Sequence, residues 1–285
     1  MSFVERINDR IERLGTRLCI GLDPRTEWHP EGVDLWSHCS DILEACEPHA
    51  CAVKPQLAFF EALGLEGLQT LYRLLDLARS MELPVIIDAK RGDIGSTAEA
   101  YAQAWLRGEQ RGGALTVNPY LGRDSLQPFV DAAIEEDGAL FCLVKTSNPG
   151  AGDLQDLEID EEGHKRTVAL EITRWIGDWN DPGEGSAKGY GPVGAVVGAT
   201  RPAELHAFRQ ALPRSLLLLP GVGAQGGKPA DLAPAFHPGG QGAIVAVSRA
   251  VEYASRKSDF AIAARGSAKE LKEAINAACA VPTRR

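Results

Sequence analysis

Pro84-Val85-Ile86-Ile87-Asp88-Ala89-Lys90-Arg91-Gly92-Asp93-Ile94 is an apolar run that ends abruptly in charge. The apolar part has the length and β-branched content of a buried strand, and the charges begin where that strand should stop. If the extended conformation continues through Lys90, Asp88 and Lys90 point to the same face, and Asp93 follows after a glycine in the turn. A carboxylate and an ammonium would then share one pocket at a strand tip. The bland alternative for any D-x-K is an exposed ion pair. The rest of the chain argues against it.

Apolar strand-like runs alternate with helical stretches along the sequence. The candidate strands are Arg17–Leu22, Cys51–Lys54, Pro84–Asp88, Ala114–Val117, Leu140–Lys145, Gly194–Val197, Leu216–Leu219 and Ala243–Val247. Helical patterning falls near 34–46, 61–82, 97–107, 125–137, 163–179, 202–211, 228–236 and 259–279. Eight strand-helix units predict an α/β fold, a closed parallel (β/α)8 TIM barrel, as a single domain over 1–285. Before the first strand, residues 2–14 read as an amphipathic helix. Ser2 and Glu5 form its capping box, Phe3, Ile7, Ile11 and Leu14 its apolar stripe, and Gly15 its stop. This helix is expected to cap the barrel core. The mostly acidic stretch from Gly150 to Gly163 reads as a mobile loop near the active face.

Barrels of this kind place their working groups at the C-terminal strand ends, and polar residues do accumulate there. They are Asp23, Lys54-Pro55-Gln56, Asp88 with Lys90, Asn118-Pro119-Tyr120, Lys145 through Gly150, Pro220 through Gly227, and Ser248-Arg249. The last two units add a second signal. Glycine-rich turns after the seventh and eighth strands are where this architecture binds phosphate through backbone N–H groups. Gln225 and Arg249 would add side-chain donors, the arginine as a planar fork. A phosphate at one end and a lysine-carboxylate group at the other imply an elongated phosphorylated metabolite.

Composition is compatible with such an enzyme. The 285 residues are 44% hydrophobic and 24% charged, ordinary for a globular chain with a large core. A formal net charge of −9 argues against a general nucleic-acid or anionic-membrane surface. The charged N-terminus lacks a signal-peptide core, and no run approaches the roughly 18 apolar residues of a membrane span, so a cytoplasmic location is expected. The six cysteines, with no CxxC pair, read as reduced and mostly buried thiols. Cys46, His49 and Cys51 lie close together, but their spacing matches no structural zinc pattern and no metal site is expected. None of the six histidines falls in a strand-end motif. Trp28, Trp36 and Trp105 read as packing or interface residues, and Arg91 within Arg91-Gly92-Asp93 as an ion-pairing residue at the barrel mouth.

The segment Asp88-Ala89-Lys90-Arg91-Gly92-Asp93-Ile94 fits a D-x-K-x-x-D-I signature, and with it the chain closely resembles the orotidine 5′-phosphate decarboxylases, in particular their longer bacterial subfamily. Supporting matches are Leu22-Asp23-Pro24, Lys54-Pro55-Gln56, Asn118-Pro119-Tyr120, Ser147-Asn148-Pro149-Gly150, Pro220 through Gly227, and Arg249. The resemblance implies a cofactor-free decarboxylation of orotidine 5′-phosphate to UMP. It implies an alternating network of Lys54, Asp88, Lys90 and Asp93, with Lys90 as proton donor. Asp93 and Thr97 would reach into the partner's site of a homodimer. Asp23 and Lys54 would contact the ribose hydroxyls, Ser147 the pyrimidine, and Pro220, Gln225 and Arg249 the phosphate end.

Three rival readings remain open on sequence. A magnesium-dependent sugar-phosphate decarboxylase or aldolase of the same superfamily shares the D-x-K-x-x-D strand end, but no extra carboxylate completes a magnesium shell at the second or third strand end. A Schiff-base aldolase could use Lys54, Lys90 or Lys145, although ammoniums paired with carboxylates stay protonated. An inactive phosphometabolite-binding barrel would bind without turnover.

Overall fold

The computed structural model describes residues 1–108, 112–161, 163–181, 189–199, 202–223 and 226–280. Its strands are β1 (Leu18–Leu22), β2 (Ala52–Pro55), β3 (Val85–Arg91), β4 (Gly113–Val117), β5 (Ala139–Lys145), β6 (Glu158–Glu161), β7 (His164–Thr167), β8 (Val193–Val197), β9 (Leu217–Pro220) and β10 (Ala243–Val247). All but β6 and β7 are parallel and close a barrel in the order β1-β2-β3-β4-β5-β8-β9-β10, with β10 returning to β1. The closing register sets Ile20 opposite both Val53 and Val247. The barrel expected from the alternation of strands and helices is therefore the one observed.

Period-two alternation divides each strand between two cores. Outward residues such as Ile20, Val53, Ile87, Leu115 and Val245 pack against the surrounding helices. Inward residues such as Cys19, Ala52, Ile86, Ala114, Phe141, Leu218 and Ile244 form a second cluster inside the barrel. The N-terminal helix Phe3–Leu14 closes this inner core from below. Its capping box forms in both directions, Gly15 stops it with φ 59°, and Phe3, Val4, Ile7 and Ile11 are buried. Phe3 meets Phe141 edge-on at 6.5 Å. The helix is thus a plug at the N-terminal end, opposite the face that carries the polar strand tips.

Several boundaries depart from the sequence reading. Among the described residues of 150–163, which exclude 162, secondary structure is found where a loop is expected: a short helix Gly152–Gln155 leads into an antiparallel hairpin in which Ile159 faces Arg166. The helix predicted from 163 begins only at Val168, because residues 164–167 belong to that hairpin and Thr167 caps the helix through its side chain. No α-helix forms over 228–236. Two 3-10 turns, Pro229–Asp231 and Ala233–Ala235, replace it, since Pro229 and Pro234 lack the N–H groups a continuous helix needs. The helix near 61–82 is broken at Leu63, where Gly64 takes φ 64°.

Cys19, Cys39, Cys46, Cys51 and Cys142 are free and buried. Trp105 is buried, while Trp28 and Trp36 stack under the guanidinium groups of Arg256 and Arg73 at 3.9 and 3.8 Å. Among the described residues, no helix is long and apolar enough to cross a membrane.

Candidate active site

Followed upward, the inner face of the barrel changes character. Ala52 gives way to Lys54, Ile86 to Asp88, Ala114 to Thr116, Leu218 to Pro220 and Ala246 to Ser248, each two residues on. An apolar floor therefore lies beneath a polar layer, and above it opens a cavity of about 220 Å³. Asp23, Lys54, Asp88, Lys90, Ser147, Pro220 and Arg249 all line it, so the structure brings these sequence-predicted residues together.

Asp88 and Lys90 meet, but not through simple alternation. Ile87 pairs with Leu115 and Arg91 with Val117, so β3 carries extra residues against β4 in a bulge. Lys90 takes up the change of direction with φ 49°. A side-chain residue in the left-handed region costs about 1–2 kcal/mol, and here local hydrogen bonds hold it. The Lys90 N–H donates to Thr116 Oγ1 at 2.8 Å, and the same hydroxyl donates to Asp88 Oδ1 at 3.0 Å. Gly92 completes the turn where a Cβ would lie 2.8 Å from the Asn118 carbonyl oxygen, which leaves glycine as the residue that fits.

Asp88 is the hub of the site. Lys54 Nζ reaches Oδ2 at 2.5 Å and Lys90 Nζ reaches Oδ1 at 2.6 Å. Gln56 Nε2 adds a bond to Oδ2 at 3.1 Å. Burial by itself would raise the Asp88 pKa, but the two ammoniums overcome it and hold the carboxyl well below the usual range. Burial likewise opposes the charge on Lys54, and the carboxylates of Asp88 and Asp23 outweigh it, so Lys54 is raised and remains an ammonium. Lys90 differs from Lys54 in access: its side chain is 43% exposed, against 6% for Lys54. Of the two ammoniums, Lys90 is presented to the cavity mouth.

The remaining predicted residues divide. Asp93 and Thr97 are absent from the cavity lining of their own chain. Asp93 is half-buried with Oδ1 accepting from the Ile94 N–H at 2.8 Å, and Thr97 is exposed in the first turn of the helix Gly95–Ala102. Gln225 lies outside the described residues. Arg91 is paired at the mouth as expected, with Glu61. Lys145 is fully buried and salt-bridged to Asp156, below the hairpin. Its ammonium is paired with a carboxylate, as are those of Lys54 and Lys90, which argues against each of the three as a Schiff-base nucleophile.

Thr116 and Gln56, to which the sequence reading gives no role, both bond to Asp88. Thr116 had a signal: it is the polar residue at an inward position of an otherwise apolar strand. Gln56 stands out in the sequence only as the last residue of the strand-end motif Lys54-Pro55-Gln56.

Fold and site together define a (β/α)8 barrel with a lysine–carboxylate cluster at the strand tips. The family described as orotidine 5′-phosphate decarboxylase / HUMPS matches the chain over residues 16–263, and the chain belongs to that family. It is 51% identical over 280 residues to the orotidine 5′-phosphate decarboxylase of Deinococcus radiodurans, covering 98% of this chain and 99% of that one. With the Rhodopirellula baltica orotidine 5′-phosphate decarboxylase the identity is 42% over 298 residues, at 98% and 96% coverage. Among solved structures, the Leishmania donovani OMP decarboxylase is similar with a TM-score of 0.80 and 36% identity, covering 99% of this chain and all of that one.

Proposed function

We infer that the chain is a carboxy-lyase that converts orotidine 5′-phosphate to UMP and CO2 in pyrimidine biosynthesis, with Lys90 as the proton donor. The observation that carries this reading is the position of Lys90, an accessible ammonium fixed to a buried, doubly paired carboxylate above an apolar floor.

Loss of CO2 from C6 leaves an electron pair in the plane of the pyrimidine, where the ring π system cannot absorb it. A cation held beside C6 stabilises that charge as it develops, and the same ammonium then delivers its proton to carbon. The Asp88 carboxylate next to the departing group disfavours the charged ground state in a dry pocket, and that repulsion is relieved as CO2 leaves. Lys54, Gln56 and Thr116 hold Asp88 and thereby Lys90 in place, so that no reorganisation is needed during the step. Both Asp88 oxygens are already engaged by these donors, which supports a mechanism without a divalent metal on that carboxylate.

The remote contacts orient the substrate. Asp23 and Lys54 take the ribose hydroxyls, Ser147 the pyrimidine, and Arg249, Gln225 and the glycine-rich turn after β9 the phosphate, beside Pro220. Binding energy from the phosphate would offset the repulsion at C6. The enzyme works as a homodimer in which Asp93 and Thr97 complete the partner's site. Their absence from the lining of their own cavity and the exposed apolar side chains of Ile94 and Tyr120 nearby support that arrangement.

The test is the fall in ultraviolet absorbance of orotidine 5′-phosphate, followed with and without EDTA, for the native chain and Lys90→Ala. Turnover insensitive to EDTA that drops by about 10⁴-fold or more in a folded Lys90→Ala variant supports the reading. Binding without turnover, or a strict need for magnesium, would replace it with the binding-protein or sugar-phosphate alternative.

A further inference from the structure

Behind the ribose end of the cavity lies a group of buried titratable side chains that the mechanism above does not use. The short helix Arg249–Glu252 starts at the phosphate-side arginine, and its last residue, Glu252, is fully buried. Glu252 Oε2 accepts the main-chain N–H of Asp23 at 2.7 Å. The next residue, Tyr253, donates its hydroxyl to the Asp23 carbonyl at 3.3 Å and accepts the Arg25 N–H at 2.6 Å. The segment from Asp23 to Arg25 is thus gripped on both sides of its backbone by two consecutive residues of the element that begins with Arg249. We propose that Glu252 is a positioning residue that sets Asp23 for the ribose and couples it to Arg249, so that a single turn of chain fixes both ends of the substrate.

The proposal rests on the reading of Asp23 as a ribose contact. Its chemistry follows from what surrounds the carboxyl. From the segment after β1 it faces Asp23 and Arg25, from its own chain Tyr253, and from the helix Leu35–Cys46 it faces His38 and Cys39, with His29 stacked on His38 at 3.8 Å. Glu252 Oε1 and both His38 ring nitrogens are buried and unpartnered among the described residues, with Oε1 and Nε2 3.8 Å apart. Burial pushes the Glu252 carboxyl up to about 8; the Asp23 N–H opposes that rise and the Asp23 carboxylate adds to it. Burial, reinforced by His29, lowers His38 to about 3, so its ring stays neutral and cannot compensate a glutamate anion. With Oε2 occupied by the Asp23 N–H, the Glu252 proton belongs on Oε1, facing His38. Ionisation above pH 8 then places a negative charge directly behind Asp23, offset by Arg25 but not by His38, and like-charge repulsion displaces Asp23.

The measurement is the pH dependence of KM and kcat for orotidine 5′-phosphate decarboxylation between pH 6 and 9.5, in the native enzyme, E252Q, E252A and D23A. The native KM is expected to rise about tenfold over the alkaline limb, with a midpoint near 8 and a smaller change in kcat. E252Q keeps an acceptor for the Asp23 N–H and cannot ionise, so its KM is expected to stay flat across that limb. E252A leaves that N–H buried without an acceptor, and its KM is expected to rise about tenfold at every pH. A folded E252Q that keeps the native alkaline limb overturns the proposal, as does an E252A enzyme with the native KM. If E252A does not fold, the E252Q profile decides. D23A separates the two levels: an unchanged KM removes the ribose reading and this inference with it. A raised KM together with an unaltered E252Q limb overturns the coupling alone.

Discussion

Asp88 shows how much of the site depends on partners rather than on one residue. Removing Lys54 leaves a carboxylate that is 93% buried with Lys90 as its remaining cation among the described residues, and breaking such a pair costs about 3 kcal/mol. Lys54→Met is therefore expected to lower stability by that amount in urea denaturation, in addition to losing activity. The sign with pH follows from the directions of the shifts. The lowered Asp88 contributes stability above its ordinary value near 3.8, lost as pH falls; the raised Lys54 contributes below 10.5, lost as pH rises further. Glu252 has the opposite sign to Asp88, because its carboxyl is raised: between pH 4.5 and about 8 the native state keeps a proton that the unfolded chain releases, so stability falls as pH rises. Replacing it by Gln removes this penalty, which at pH 7 amounts to about 3 kcal/mol. Thermal melts should show E252Q gaining on the native protein steadily from pH 5 to pH 8, and a constant difference would contradict the assignment. Thr116→Val is a finer probe. It deletes one donor to Asp88 and the acceptor that holds Lys90 at positive φ, so kcat should fall about tenfold while KM changes little.

At the scale of elements, what could be read in advance was what has a strong period. Apolar runs such as Leu216–Leu219 fix strands, and the Ser2/Glu5 capping box fixes a helix start, because each signal is local and no tertiary contact competes with it. What could not be read depends on pairing between segments. The stretch from 158 to 167 reads as the end of an acidic loop and the start of a helix, yet residues 158–161 pair with 164–167 in a hairpin, and Lys145 and Thr146 hold the preceding segment through Asp156 and Gln155. Likewise the bulge at Lys90 exists only where β3 meets β4, so alternation along one strand places Asp88 and Lys90 together for an incomplete reason. The plug helix offers a test at this scale. Phe3 is fully buried against Phe141 inside the barrel, and Phe3→Ala should cost about 3–4 kcal/mol in urea denaturation with kcat nearly unchanged, since the cavity lies at the other end.

For the molecule as a whole, the sequence showed which strand tips converge, but two of its predicted site residues, Asp93 and Thr97, do not reach the cavity of their own chain. A closed barrel explains why. After Gly92 the chain leaves the mouth and enters the helix Gly95–Ala102, with Ile94 61% exposed and Tyr120, at the neighbouring strand tip, 75% exposed. Asp93 and Thr97 lie outside the cavity lining of their own chain and beside this exposed rim, which is the placement the proposed exchange between two copies needs, and a two-fold interface would apply that exchange to both sites. That makes the homodimer testable through activity rather than through size alone. Lys90→Ala and Asp93→Ala should each be nearly inactive alone. Mixed under conditions that let subunits exchange, they form hybrids in which one site carries both defects and the other carries none. With random pairing, half the dimers are hybrids and half of their sites are intact, so about a quarter of the native activity should return. Recovery that grows with exchange and saturates near that level requires Asp93 to act across the interface. A mixture that stays inactive while sedimentation shows hybrid dimers would confine Asp93 to its own chain.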